Sequence, residues 1–355
     1  MGPINRFHNL HFSQLNPIPT PPKMETTFNL CFLSLLLLSP FALSELCNPS
    51  DKKALLQIKK DFNNSNAAVF PSWNPDMDCC DWNGIQCDPN TNRVNSLTII
   101  TDDRLSGQIP PAVGDLPYLQ TLEFHKLPKL TGPIPPTIAK LTNLKELYLS
   151  WNNLSGPVPD FFPQLTSLEF LDLSFNNLSG QIPSSLSQMP NLVSLRLDWN
   201  RLTGPIPDSF GYFKQKSIGL RLDHNQLSGR IPASLAQLEP ERINLSRNKL
   251  VGDAYMLFGA NKTTQQIDIS RNMLSFDVSK AEFPTSNLIL LDLNHNQIYG
   301  SIPQQIIAVD FLQIFNVSYN RLCGEIPQGG RLQRFDNTTY FHNKCLCGSP
   351  LPSCK

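Results

Sequence analysis

The chain has 355 residues, 40% of them hydrophobic and 16% charged, and its 29 Lys and Arg balance 29 Asp and Glu to a formal net charge of zero. A neutral chain offers no electrostatic footprint for a nucleic acid or an anionic membrane, so neither partner is expected. Solubility must come from Asn, Ser, Thr and Gln, and length alone would suggest two domains.

Residues 1–23, with the run Pro17-Ile18-Pro19-Thr20-Pro21-Pro22, read as an upstream extension. Met24 opens a short polar stretch, and an apolar run follows from Leu30 to Leu38. Ala42-Leu43-Ser44 then forms a small-x-small cleavage site, so residues 24–44 read as a secretory signal peptide and Glu45 as the mature start. The run is too short to span a bilayer, and no later one could. A released, extracellular protein is expected.

Removing Cys31 leaves eight cysteines, gathered at the two ends: Cys47, Cys79, Cys80 and Cys87, then Cys323, Cys345, Cys347 and Cys354. An even number in an exported chain implies four disulfides. Zinc is disfavoured, because no CxxC pair occurs and no His shares a ligand spacing with them. The expectation is therefore no metal and no other cofactor. Within the first terminal segment, residues 45–92, Ser50 can N-cap a helix from Asp51 to Phe62 whose apolar side is Leu55, Leu56, Ile58 and Phe62.

Residues 93–327 repeat. Asn152, Asn176, Asn200, Asn225, Asn248, Asn272, Asn296 and Asn320 follow one another at intervals of 24, 24, 25, 23, 24, 24 and 24 residues. Each belongs to the pattern LxxLxLxxNxLxGxIP, as in Leu168 to Pro183. That pattern is a leucine-rich repeat. One such unit cannot bury its own apolar face and must stack on its neighbours, so the product is a single solenoid, not two domains. Two weaker units, Val94 to Pro110 and Leu119 to Pro135, precede the clear ones. The expected fold is an α/β leucine-rich-repeat solenoid, a curved right-handed superhelix of about ten repeats. It carries a parallel concave sheet and disulfide-bonded caps at both ends, the second cap being residues 328–355.

Each repeat position has a task. Alternate residues of the LxL strand point to opposite faces, so Leu171 and Leu173 go inward while Asp172 and Ser174 go outward. The Asn amide both donates and accepts, and can satisfy the buried turn that follows the strand. Gly and Pro shape the return path. The units at Asn248 and Asn272 lose the IP signature, and the convex side should be irregular there.

Counting one residue back from each anchor defines a column: Trp151, Phe175, Trp199, His224, Arg247, Arg271, His295, Tyr319. Rungs stack about 4.8 Å apart, so these side chains are neighbours in space. Trp, Tyr and Arg dominate protein interfaces, and a row of them on one edge reads as a binding surface. The competing reading is a set of side chains that covers the sheet edge. The next column includes Asp198 and Asp223, and the basic stretch suits carboxylates on a partner enzyme or an acidic polysaccharide. No GxSxG, paired-carboxylate motif or phosphate loop stands outside the repeat, so no enzyme is expected. Sequons at Asn63, Asn153, Asn177, Asn261 and Asn337 are expected to carry glycans. Those at Asn244 and Asn316 sit between inward strand residues, where glycans should be poorly accepted.

Several segments are specific. Cys47-Asn48-Pro49 with Asp51 to Lys60, Trp73 with Asp78-Cys79-Cys80, and Gly84-Ile85-Gln86-Cys87 resemble the N-terminal cap of plant polygalacturonase-inhibiting proteins. The runs Leu322 to Gly330 and Asn343 to Cys354, and the irregular Gly252-Asp253-Ala254 and Phe276-Asp277, are similar to the same family. The resemblance implies a monomeric, secreted cell-wall glycoprotein of plant defence. It would bind fungal or insect polygalacturonases through the concave face, with pectin as a second candidate ligand. It also implies the pairs Cys47–Cys79, Cys80–Cys87, Cys323–Cys345 and Cys347–Cys354, and adjacent Cys79 and Cys80 cannot easily bridge each other. Residues 108–117 and 291–297 resemble two side branches, antifreeze proteins and floral regulators that act with a receptor or transcription factor. Ice binding needs a flat array of Thr or Asn, which the Trp, Arg and Asp of the concave face do not offer.

Overall fold

The computed structural model describes residues 46–62 and 67–355. The upstream extension, the signal peptide and the sequon Asn63 lie outside the described residues. Among those described, no helix is long and apolar enough to cross a membrane.

The chain begins with a helix at Pro49–Asp61. Its N-cap is Asn48, not Ser50: the Asn48 side chain accepts from the Ser50 N–H at 3.0 Å. Pro49 explains the shift, since its fixed φ and missing N–H suit the first helical position and leave the cap to the residue before it. Ala54, Leu55, Ile58 and Phe62 are buried, while Leu56 is only partly so. Below them Trp73 stacks on Trp82 at 5.5 Å between ring centroids. Asp51 is buried but paired in bidentate fashion, accepting from Arg93 Nε at 2.8 Å and Nη2 at 2.7 Å and from the Val94 N–H at 2.9 Å. These bonds tie the helix to the first long strand.

Strand Ile85–Cys87 runs antiparallel to Val94–Ile100 and opens the main sheet. From there an eleven-stranded sheet runs in sequence order, every later pairing parallel. Leu147, Leu171, Leu195, Leu220, Ile243, Ile267, Leu291 and Phe315 pair rung to rung and are all buried. The repeat register thus becomes one continuous core, which is what offsets the chain entropy that no single unit could meet.

The anchor asparagines work as expected. Asn200 accepts from the Leu178 N–H at 2.9 Å and donates to the carbonyls of Leu173 at 2.9 Å and Leu197 at 3.2 Å. It therefore closes its own turn and clips it to the preceding rung. Asn343 does the same one unit further on, accepting from the Leu322 N–H and donating to Val317 and Tyr340. The second cap is thus partly a further repeat.

A second, eight-stranded parallel sheet flanks the first, built from the LxG segments between Ser106–Gln108 and Met273–Leu274. Its glycines take left-handed backbone, as at Gly204 with φ +77°. Short 3-10 turns cover the convex side; most are five residues long, but those at Phe162–Gln164, Tyr255–Leu257 and Val278–Lys280 have three. Between the last two the second sheet stops, and a single bridge from Asp277 to Tyr299 leads to a separate three-stranded sheet. Turn length does not single out the units that lose the IP signature, but the break in the second sheet falls where irregularity was expected. Four disulfides form among the described residues: Cys47–Cys79, Cys80–Cys87, Cys323–Cys345 and Cys347–Cys354.

Candidate functional site

Every residue of the column before the anchors has positive φ, from Trp151 at 58° through Trp199 at 54° to Tyr319 at 54°. The left-handed turn ends the strand and swings these side chains over the rim of the concave sheet. Rungs about 4.8 Å apart suit planar groups, and the rings stack. Centroid distances are 3.8 Å for Trp151–Phe175, 5.1 Å for Phe175–Trp199 and 3.7 Å for Trp199–His224. A second stack runs His295–Tyr319 at 4.0 Å and Tyr319–His342 at 4.2 Å. Arg247 and Arg271 stand exposed between the two stacks. Trp151, Trp199 and Tyr319 remain 48%, 46% and 46% exposed, so stacking satisfies the ring faces and leaves the edges to solvent.

His342 was not anticipated. Its signal is Asn343, 23 residues after Asn320, which reads as part of the cap until its hydrogen bonds reveal an anchor. At the other end Lys126 and Thr101 hold the same left-handed position.

The acids depart from expectation. Asp198 and Asp223 are 0% and 3% exposed, and Asp172 and Ser174 are also buried, so none offers a partner an open carboxylate or hydroxyl. Curvature is the reason: side chains on the inner side of a concave sheet converge, and short ones are covered by longer neighbours. Ser174 donates to Asp172 at 2.6 Å. Arg196 covers two acids, with Nη1 3.1 Å from Asp172 and Nε 3.5 Å from Asp198. Asp223 accepts from His224 Nδ1 at 2.9 Å when that nitrogen is protonated.

Arg196, Arg221 and Arg242 instead reach the open floor, where with Asn244, Gln266 and Asp268 they line a depression of about 360 Å3. A larger one, about 690 Å3, lies at residues 279–282 and 301–305, on the flank where the second sheet breaks. The floor is the better candidate because charged groups converge on it beside the ring column. Among the described residues, the one cluster with metal-ligand proximity, Cys47, Asp78, Cys79 and Cys80, has all its sulfurs in disulfides.

Burial sets the charge of the remaining acids. Burial first, and the neighbouring Asp268, push Asp292 up to about 6, although hydrogen bonds from Asn294 oppose the shift. Burial raises Asp268 as well. Burial, with the positive charge of Arg271 and Arg247 and the nearby His342, pushes His295 down. A raised carboxyl pKa means that the ionised form costs stability above about pH 6 and that the cost fades as pH falls toward 3.8. Asp292→Asn, which can still accept from the Asn294 N–H, should therefore raise stability at pH 7 by as much as about 3 kcal/mol and by nothing near pH 3. Urea unfolding at the two pH values measures this; equal midpoints for variant and wild type at pH 7 would contradict it.

The sequons separate by face. Asn153, Asn261 and Asn337 are exposed and Asn177 is half-buried, the pair Asn153 and Asn177 lying on the second sheet. Asn244 and Asn316 lie on the concave strands, and their side-chain oxygens each accept from the N–H two residues on, Ser246 and Ser318, at 3.0 Å.

Residues 48–88 match the family described as leucine rich repeat N-terminal domain, and 142–202 match leucine rich repeat. A polygalacturonase inhibitor of Pyrus communis is 63% identical over 333 residues, 94% of this chain and 99% of that protein. The leucine-rich repeat protein FLOR 1 of Arabidopsis thaliana is 52% identical, over 87% of this chain and 93% of its own. A solved plant ice-binding protein superposes with a TM-score of 0.84 at 55% identity, covering 87% of this chain and 98% of that one. With the same repeat, the same terminal cap and such identity across nearly the whole of its relatives, the chain belongs to the polygalacturonase-inhibitor family of leucine-rich-repeat proteins.

Proposed function

We propose that the protein is an extracellular inhibitor of polygalacturonases from fungi or insects, acting by binding and not by catalysis. The docking surface is the concave floor together with its ring-edged rim: Trp151, Phe175, Trp199, His224, Arg247, Arg271, His295 and Tyr319. The single observation that carries the reading is that rim, with stacked rings on either side of two exposed arginines. Rigid aromatic edges give contact area at low entropic cost, and guanidinium groups meet carboxylates in fixed geometry. A body seated there would cover an enzyme's substrate cleft sterically. Asp198 and Asp223 support the surface from below, and pectin would compete for the same arginines. Glycans on Asn153, Asn177, Asn261 and Asn337 leave this face open.

The test is inhibition of a broad panel of fungal and insect polygalacturonases by the disulfide-bonded protein; no inhibition across the panel would end the reading. A second reading, ice binding, has one observation in its favour: Thr131, Ser155, Ser179, Thr203 and Ser228 recur at one repeat position on the second sheet, although the rungs pair them with Asn153, Asn177, Arg201, Gln226 and Lys249 and not with one another. Lys129, Arg201 and Lys249 interrupt the same face. Thermal hysteresis of the glycosylated protein separates the two.

A further inference from the structure

We infer that Asp198 and Asp223 share a single proton, Asp198 Oδ2 donating to Asp223 Oδ1, and that this proton sets the charge of the concave floor. The two residues follow Arg196 and Arg221 at the same offset on paired rungs, so they face one another one strand spacing apart, about 4.8 Å. The third outer position is Ser in most other rungs (Ser150, Ser174, Ser246, Ser270, Ser318), and these two alone carry acids. Both are sealed from solvent.

Their oxygens are unequally served. Asp198 Oδ1 meets Arg196 Nε at 3.5 Å, and Asp223 Oδ2 meets His224 Nδ1 at 2.9 Å. Asp198 Oδ2 and Asp223 Oδ1 are buried with no hydrogen-bond partner among the described residues. One buried orphan on each of two facing carboxyls is a costly arrangement for two anions. A proton between them satisfies both atoms and removes the like-charge contact.

The surrounding charges do not remove the need. Arg196 is divided between Asp198 and Asp172 on the preceding rung. Arg221 faces the open floor, Arg247 is exposed on the following rung, and Asp268 adds a further acid near Asp223. Burial, then the charge of Asp223, push Asp198 upward, with Arg196 and Arg221 opposing. Asp198 is thus the member that holds the proton, while Asp223 Oδ2 faces His224 Nδ1.

The consequence rests on the proposed docking of a polygalacturonase. While the proton is present, this pair sets one buried negative charge beneath Arg196 and Arg221, in addition to Asp172; when it leaves on raising pH, the pair sets two. The floor becomes less positive, and affinity for a partner that presents carboxylates falls.

The experiment is 13C NMR of the intact, disulfide-bonded protein labelled at the Asp carboxyls, with the Asp198 resonance assigned by its loss in Asp198→Asn. Asp198 is expected to titrate above the ordinary carboxylate range, and lower in Asp223→Asn. Titration of Asp198 near pH 4 in the wild type, or unchanged titration in Asp223→Asn, would overturn the shared proton. Inhibition should weaken about tenfold from pH 5 to 7.5 in the wild type and change less than about twofold in Asp198→Asn. Equal pH profiles would overturn the link to binding. If the NMR result holds while no enzyme is inhibited, the proton pair stands and the polygalacturonase reading fails.

Discussion

Replacing Trp199 with asparagine is expected to weaken inhibition about 30- to 1,000-fold while lowering stability by no more than about 3 kcal/mol. Trp199 sits mid-column, stacked between Phe175 and His224, with close to half of its surface still open. An aromatic residue at the centre of an interface commonly contributes about 2–4 kcal/mol to binding, and that range sets the expected loss. Asparagine is the right replacement because the backbone there is left-handed, φ 54°, which asparagine tolerates and alanine does not. What the fold loses is two ring stacks worth about 0.5–1.5 kcal/mol each. Enzyme inhibition and thermal melting of the same preparation read the two effects separately. If stability falls as far as binding, the ring column is a structural cover and the competing reading of it prevails.

Asn200→Ala should do the reverse and cost the fold about 3–5 kcal/mol. Its amide accepts from Leu178 and donates to Leu173, Leu197 and Asp198, and all of these backbone groups lie inside the stack. Alanine leaves the Leu178 N–H and the Leu173 carbonyl buried without replacement, and the unmade bonds carry the desolvation penalty. Leu178 belongs to the rung before, so the damage crosses the repeat boundary and should broaden the urea transition as neighbouring units uncouple. A sharp transition displaced by less than about 1 kcal/mol would show that the asparagine ladder is redundant.

The sequence was most legible where a residue's chemistry admits one environment. An amide recurring every 24 residues or so between buried leucines has to close a turn, and the eight anchors do. The rim column followed by counting from them. Legibility failed where packing between rungs decides. Strand alternation sends Asp198 and Asp223 outward, but only curvature shows that outward is not exposed. The second sheet was invisible, because its LxG segments are too short to announce a strand and owe their pairing to the stack. Asn48 displaced Ser50 as helix cap through one proline. Arg242 joins Arg196 and Arg221 although it stands two residues earlier in its repeat, a convergence that exists only on the folded floor.

Hydroxyl-radical footprinting of the protein alone and saturated with a polygalacturonase it inhibits tests the docking surface most directly. Trp151, Trp199 and Tyr319 on the rim and Tyr212 and Tyr255 elsewhere all start exposed and oxidisable. The expected result is strong protection of the first three with Tyr212 and Tyr255 unchanged. Protection of Tyr212 or Tyr255 with Trp151, Trp199 and Tyr319 still oxidised would contradict it and move the binding surface off the concave face.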